Sequence, residues 1–191
     1  MSQVKARTLV AALVALLVVA VAYFGVIAMV ARDAERPEPE ITAYSHGKSV
    51  AVQPYQYCDV QMRDCKILPA EDMSGFPVPL ECVAGQPDCH TGKPVDLRVP
   101  GGDPLQLSLP KDIAGKPWLI TAIYRTPSGA TAQNTVSFMD YDKGTVAVTI
   151  PSLKELKLVV VEVQLPILVR DNTTGQEGYL PHQAWSIHTE V

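Results

Sequence analysis

The first 30 residues contain no Asp or Glu, and their only charged side chains are Lys5 and Arg7. All 20 acidic residues come later. Two of the 16 basic residues lie in the opening stretch, so 14 basic against 20 acidic residues leave the rest of the chain at −6. That balance argues against nucleic acid as a partner, because binding it needs Lys and Arg to displace phosphate counterions. It also argues against adsorption of the body onto anionic lipid. Cysteine is absent before Cys58, which excludes a lipidated cysteine just after the N-terminal region.

Several signatures of chemistry are missing as well. No Cys-x-x-Cys occurs, so a redox-active dithiol has no support. The four histidines, His46, His90, His182 and His188, include no i, i+4 pair and no His-Glu-x-x-His. They read as solvated or hydrogen-bonded side chains. There is no Gly-x-Ser-x-Gly, and Ser74-Gly75 and Ser128-Gly129 read as turns. Gly101-Gly102 is too short to cradle a phosphate. Asp140-Tyr141-Asp142-Lys143-Gly144 is similar to the opening of a calcium loop, but it lacks the twelve-residue frame and the closing Glu, so a β-turn is expected. No catalytic residue, cofactor or metal ion is expected.

What is present begins with an uncharged run over residues 8–30, mostly Ala, Val and Leu. As a helix it measures ~35 Å, enough to cross a hydrocarbon core of ~30 Å. A cleaved signal peptide would have an apolar region of only ~7–15 residues. A retained single-pass anchor is therefore expected, with residues 1–7 cytoplasmic and the folded bulk outside. The four cysteines, all beyond the anchor and even in number, agree with an oxidising compartment. Ala11/Ala15 and Ala22/Gly25 offer small faces for lateral packing, as any Ala-rich span does. Residues 31–40 are charged and proline-bearing and read as a short extended stalk.

Residues 41–191 carry strand patterns separated by Gly, Pro and Asn turns, the signature of a sandwich or barrel. Residues 41–45 and 49–57 flank His46-Gly47-Lys48 as a hairpin, with Pro54 interrupting the second arm. Val95, Leu97 and Val99 alternate, as do Leu105, Leu107 and Leu109; with the turn at 100–103 they read as a second hairpin. Residues 118–126, 136–141 and 145–150 read as further strands, and 157–165 as a buried central one. Residues 167–170 and 183–189 close the domain around a polar loop at 171–178. That loop contains Asn172-Thr173-Thr174, which fits a glycosylation tripeptide but reads here as loop. Residues 111–115 and 152–156 are each expected to form one helical turn. Trp118 and Trp185 are expected in the core.

The cysteines follow the pattern Cys-x6-Cys, sixteen residues, Cys-x6-Cys. Three pairings are open, and the local one, Cys58–Cys65 with Cys82–Cys89, is preferred because each bond closes a small ring. The rival is zinc held by the four thiolates and His90. Structural zinc normally uses cysteines two to four residues apart, and a spacing of six does not present both sulfurs from one turn. The segment between them lacks strand pattern and reads as a stapled loop, with Phe76, Val78 and Leu80 as candidate partner contacts. The alternative is that these three cap one end of the domain.

Tyr57-Cys58-Asp59, Cys65, Leu107-Ser108-Leu109-Pro110, Ile113-Ala114 and Pro117-Trp118 occur in that order. In these motifs residues 41–190 resemble an uncharacterised family of membrane-anchored exported proteins of mycolic-acid bacteria and their relatives, domain of unknown function 2771. The resemblance implies an immunoglobulin-like β-sandwich in the cell envelope and brings no catalytic residues with it. The functional expectation is a non-enzymatic accessory or scaffold subunit that binds another envelope or membrane protein. A glycan- or lipid-binding module, and a metal- or thiol-dependent enzyme using the Cys/His segment, are the alternatives.

Overall fold

The computed structural model describes residues 2–33, 38–70, 80–82, 89–170 and 175–190. The chain divides into two compact units, Met1–Pro37 and Glu38–Val191. The first is a helix, α1 (Ser2–Asp33). Its segment Thr8–Arg32 has a mean hydropathy of 2.8 and is long and apolar enough to cross a membrane.

The second unit is an immunoglobulin-like β-sandwich of two sheets. β1 (Ile41–Ser45) and β2 (Lys48–Val52) form the expected hairpin. His46 and Gly47 both have positive φ, 47° and 76°, as the tightest twisted hairpin turn demands. Ile41, Ala43 and Ser45 face inward, and Thr42 and Tyr44 face out. Past Pro54 the chain leaves this sheet. β3 (Gln56–Tyr57), β4 (Ile67–Leu68) and β5 (His90–Thr91) form one flank of the larger sheet, followed by β6 (Val95–Asp96).

The second expected hairpin does not exist. β6 runs parallel to the last strand of the chain, β12 (Glu177–His188), whereas β7 (Leu105–Ser108) lies in the smaller sheet beside β1. The turn at residues 100–103 is present, closed by Asp103 N–H donating to the Pro100 carbonyl at 3.1 Å, but it is an arch between sheets. Leu97, Val99, Leu105, Leu107 and Leu109 are all buried in one core, so the alternation reported burial correctly and pairing wrongly. Alternation marks which face of a strand is covered and carries nothing about its neighbour.

After β7 comes α2 (Lys111–Ala114), the expected helical turn, followed by β8 (Leu119–Arg125) and β9 (Thr131–Ser137). β9 starts earlier than expected, and Phe138–Asp140 leaves it as a 3-10 turn. β10 (Ala147–Ile150) returns to the smaller sheet, giving the order β10-β7-β1-β2. The helical turn expected at 152–156 is a tight bend in which Leu153 and Leu156 exchange backbone hydrogen bonds. The larger sheet has the order β5-β4-β3-β12-β11-β8-β9, with β6 also beside β12.

β11 (Lys157–Arg170) is the central strand and runs straight through Pro166, where a break had been expected. Pro166 lies opposite Pro181, at a register shift that leaves His182 as the extra residue. Proline cannot donate to a ladder, so a bulge is where a strand tolerates it. A second shift between Leu158 and Val160 makes Val159 an extra residue on the β8 side. That bulge inverts the phase: Leu158, Val161, Val163 and Leu165 are buried, and Val160 is not.

Trp118 and Trp185 are both in the core, as expected. The Trp185 indole N–H donates to the Pro39 carbonyl at 2.9 Å, and Lys66 Nζ lies 3.8 Å from Glu38. Residues 38–40 therefore dock on the sandwich. Of the stalk expected over 31–40, residues 31–33 belong to α1 and 34–37 lie outside the described residues.

Candidate functional site

Cys58 is joined to Cys65 and Cys82 to Cys89. Asp59 organises the first ring. Its carboxylate accepts the backbone N–H of Arg63 at 3.0 Å and of Gln61 at 2.9 Å. These bonds, that to Arg63 foremost, hold its pKa below the ordinary carboxylate value. Cys65 N–H donates to the Glu81 carbonyl at 3.0 Å, and Cys65 forms a bridge with Cys82, so the two rings are tied side by side. The cysteine segment had been expected to lack ladder partners. Its described part instead supplies β4 and β5, because Lys66 N–H bonds the Tyr57 carbonyl and His90 N–H bonds the Lys66 carbonyl.

Cys58, Met62 and Cys65 form a small second core, with Leu68, Leu80 and Ile167 packed against it. Leu80, expected as a partner contact, is half-buried against this cluster. Phe76, Val78 and the tripeptide at 172–174 lie outside the described residues. His182, the bulge residue of β12, places Nδ1 3.2 Å from the Cys58 carbonyl. Burial holds its pKa below the ordinary histidine value. A carbonyl can only accept, so the tautomer with the proton on Nδ1 is the one that makes this hydrogen bond. Among the described residues, no three His, Cys, Asp or Glu side chains are placed to hold a metal ion, and the four sulfurs are engaged with one another.

Ser186 and Glu162 are cross-strand neighbours, and His188 lies two residues beyond Ser186. Serine, acid and imidazole therefore share one region of the sheet. Ser186 Oγ is buried with no hydrogen-bond partner among the described residues, and His188 Nδ1 faces Asp96 at 3.7 Å. No base touches the hydroxyl. Glu162 has a raised pKa, chiefly through burial, while its bond from Gln164 Nε2 at 3.0 Å acts the other way.

The sequence reading missed an apolar groove of about 480 Å³ between residues 114–118 and 138–145. Trp118 and Tyr141 meet in it with ring centroids 5.5 Å apart. Phe138 and Met139 line it while remaining 40% and 77% exposed. They are held by a capping box. Ser137 donates to Asp140 Oδ2 through its backbone N–H at 2.7 Å and its hydroxyl at 2.9 Å, and Met139 N–H bonds Ser137 Oγ at 3.3 Å. Asp140 is thereby occupied, and Thr145 N–H closes a turn on the Asp142 carbonyl at 3.1 Å, so the calcium-like segment is a turn as expected. One sequence signal was available. Phe138 and Met139 are consecutive large apolar residues, and a strand cannot turn both toward one core.

A disulfide-bonded β-sandwich behind a long apolar N-terminal helix is the organisation of an exported protein, with its sulfurs on the oxidising side of a membrane. Residues 34–190 match the family described as "Protein of unknown function (DUF2771)", and the chain belongs to that family. An uncharacterized protein of Mycobacterium bovis and two of Mycobacterium tuberculosis are each 34% identical to it over 153 residues, covering 78% of this chain and 76% of theirs. No solved structure matches the chain.

Proposed function

We propose that the protein is a membrane-tethered, non-enzymatic accessory or scaffold domain of the cell envelope that binds another envelope or membrane protein. The observation behind this reading is the groove. Two large apolar side chains are held out to solvent on a prefolded turn, which lowers the ordering cost of binding. The thiol and metal alternatives need free thiolates, and the disulfides remove them. A glycan would need convergent hydrogen-bonding groups, whereas the groove is mainly apolar and aromatic. An acyl chain is the second reading, favoured by that same apolar lining.

Phe138→Ser with Met139→Ser in the full chain, extracted in mild detergent, tests the proposal. The melting temperature should stay within about 2 °C, because exposed side chains contribute little to stability. The co-purifying protein should disappear. If that protein is retained, the groove is not the contact. Loss of a bound lipid instead of a protein selects the second reading. Replacing Phe76, Val78 and Leu80 together by Ser should lower the melting temperature, since Leu80 packs on the disulfide core.

The tether has its own test. N-terminal sequencing of membrane-extracted protein should find residues 8–30 retained, because the run exceeds a signal peptide's apolar length. A mature chain starting near Met29 or Arg32 would end the tether proposal.

A further inference from the structure

A sheet edge exposes unpaired backbone groups, and proteins normally guard it with charge, proline, a bulge or a very short strand. At the edges of this sandwich, among the described residues, four strands conform. β5 and β6 have two residues each, β2 begins on Lys48, and β10 has four residues and runs directly into Pro151. The fifth edge strand, β9, does not. It is seven residues long and pairs with β8 in unbroken register from Arg125↔Thr131 to Leu119↔Ser137. Its sequence, Thr-Ala-Gln-Asn-Thr-Val-Ser, contains neither a charge nor a proline, and its first five residues are exposed.

That sequence also reads the same in chemical class from either end. Folded antiparallel onto itself about Asn134, it sets Thr131 opposite Ser137, Ala132 opposite Val136, Gln133 opposite Thr135 and Asn134 opposite Asn134. Hydroxyl meets hydroxyl, apolar meets apolar, and amide meets hydroxyl or amide. A two-fold axis perpendicular to the sheet keeps opposed residues on the same face, so Ala132 and Val136 stay with the core side, where Val136 packs on the core. A one-residue slip would break this face matching; in the register about Asn134 the central pairs carry the contact, because Ser137 N–H and hydroxyl are already held by Asp140.

We propose that β9 pairs antiparallel with β9 of a second copy about a two-fold axis at Asn134, joining the two larger sheets into one. The occupant is a second copy because self-complementarity is a property of this strand alone, and a foreign strand would not require it. The contact is separate from the groove and does not depend on what the groove binds.

Cross-linking in native membranes reads the register directly. The four native cysteines are already paired with one another, so a new interchain disulfide reports the introduced thiol. Asn134→Cys should cross-link to its own copy under mild oxidation. Thr131→Cys should not, because the two copies of residue 131 would sit ~20 Å apart along the strand, beyond the ~7 Å limit for a disulfide. Gln133→Lys with Thr135→Lys sets like charges opposite each other twice, and should weaken the dimer of the detergent-purified full chain by about tenfold or more. Gln133→Lys with Thr135→Glu sets opposite charges there and should restore it. All four residues are exposed, so the melting temperature serves as a folding control. A monomeric wild type, a dimer unmoved by the double lysine, or equal cross-linking at positions 131 and 134 would each overturn the proposal.

Discussion

Val163→Asp is expected to leave the sandwich without a cooperative melting transition, while Val160→Asp three residues earlier melts close to the wild type. Val163 is fully buried, between Ile120 on β8 and Trp185 on β12. Among the described residues no Lys or Arg is buried where it could pair with a carboxylate there. An unpaired buried charge costs several kcal/mol, roughly 3–5, which is comparable to the whole stability of a domain of this size. Val160 faces the other way, opposite His188 and Ile123, and is half-buried. Its substitution should cost about 1 kcal/mol. The near-ultraviolet signal of the two core tryptophans during heating separates the cases. Equal effects at both positions would mean that the bulge at Val159 is misplaced, since that bulge alone sets the phase.

Gly92→Ala is expected to be the most damaging glycine-to-alanine change among the described residues. A Cβ at Gly92 would overlap the backbone oxygen, Cα and carbonyl carbon of Tyr55. Neither backbone is free to yield. Tyr55 N–H is bonded to the Ala184 carbonyl at 2.9 Å, and Gly92 N–H to the Leu68 carbonyl at 2.8 Å. Relief of the overlap must break one of these bonds or unseat the cysteine segment from the sheet, at a cost of about 3 kcal/mol. Gly178→Ala is the control. A Cβ there meets nothing within 4 Å, so the change should be neutral or slightly stabilising. If Gly92→Ala melts with the control, the crossing of these two segments is not as close as described.

Both substitutions fall where the sequence pattern stops informing. The run Leu158-Val159-Val160-Val161 is apolar throughout, and no period in it tells which residues face inward. The extra residue at Val159 decides that, and it exists because β11 must satisfy β8 and β12 together. Gly92 sits in a stretch that reads as loop, and nothing local marks Tyr55 as its neighbour. The functional side divides in the same way. The disulfide partners were legible because ring closure over six residues is a local event. The groove was not, because Trp118 and Phe138–Tyr141 come from segments some twenty residues apart, brought together when β8 and β9 pair.

The sequence by itself determined the features that depend on neighbours along the chain. The charge-free run of residues 8–30 forms a helix of membrane-spanning length. His46-Gly47 turns β1 into β2. The alternation of Leu105, Leu107 and Leu109 selects the buried face, and the two Cys-x6-Cys rings close on themselves. Tertiary structure decided which strands pair. It sent Val95–Asp96 and Leu105–Ser108 to different sheets, carried β11 and β12 through facing prolines, and docked residues 38–40 on Trp185. The physical reason is one of range. A two-residue period is fixed by the backbone of each strand alone, whereas the choice of neighbour is a competition among all strands for one core, settled only when the sheets close over it.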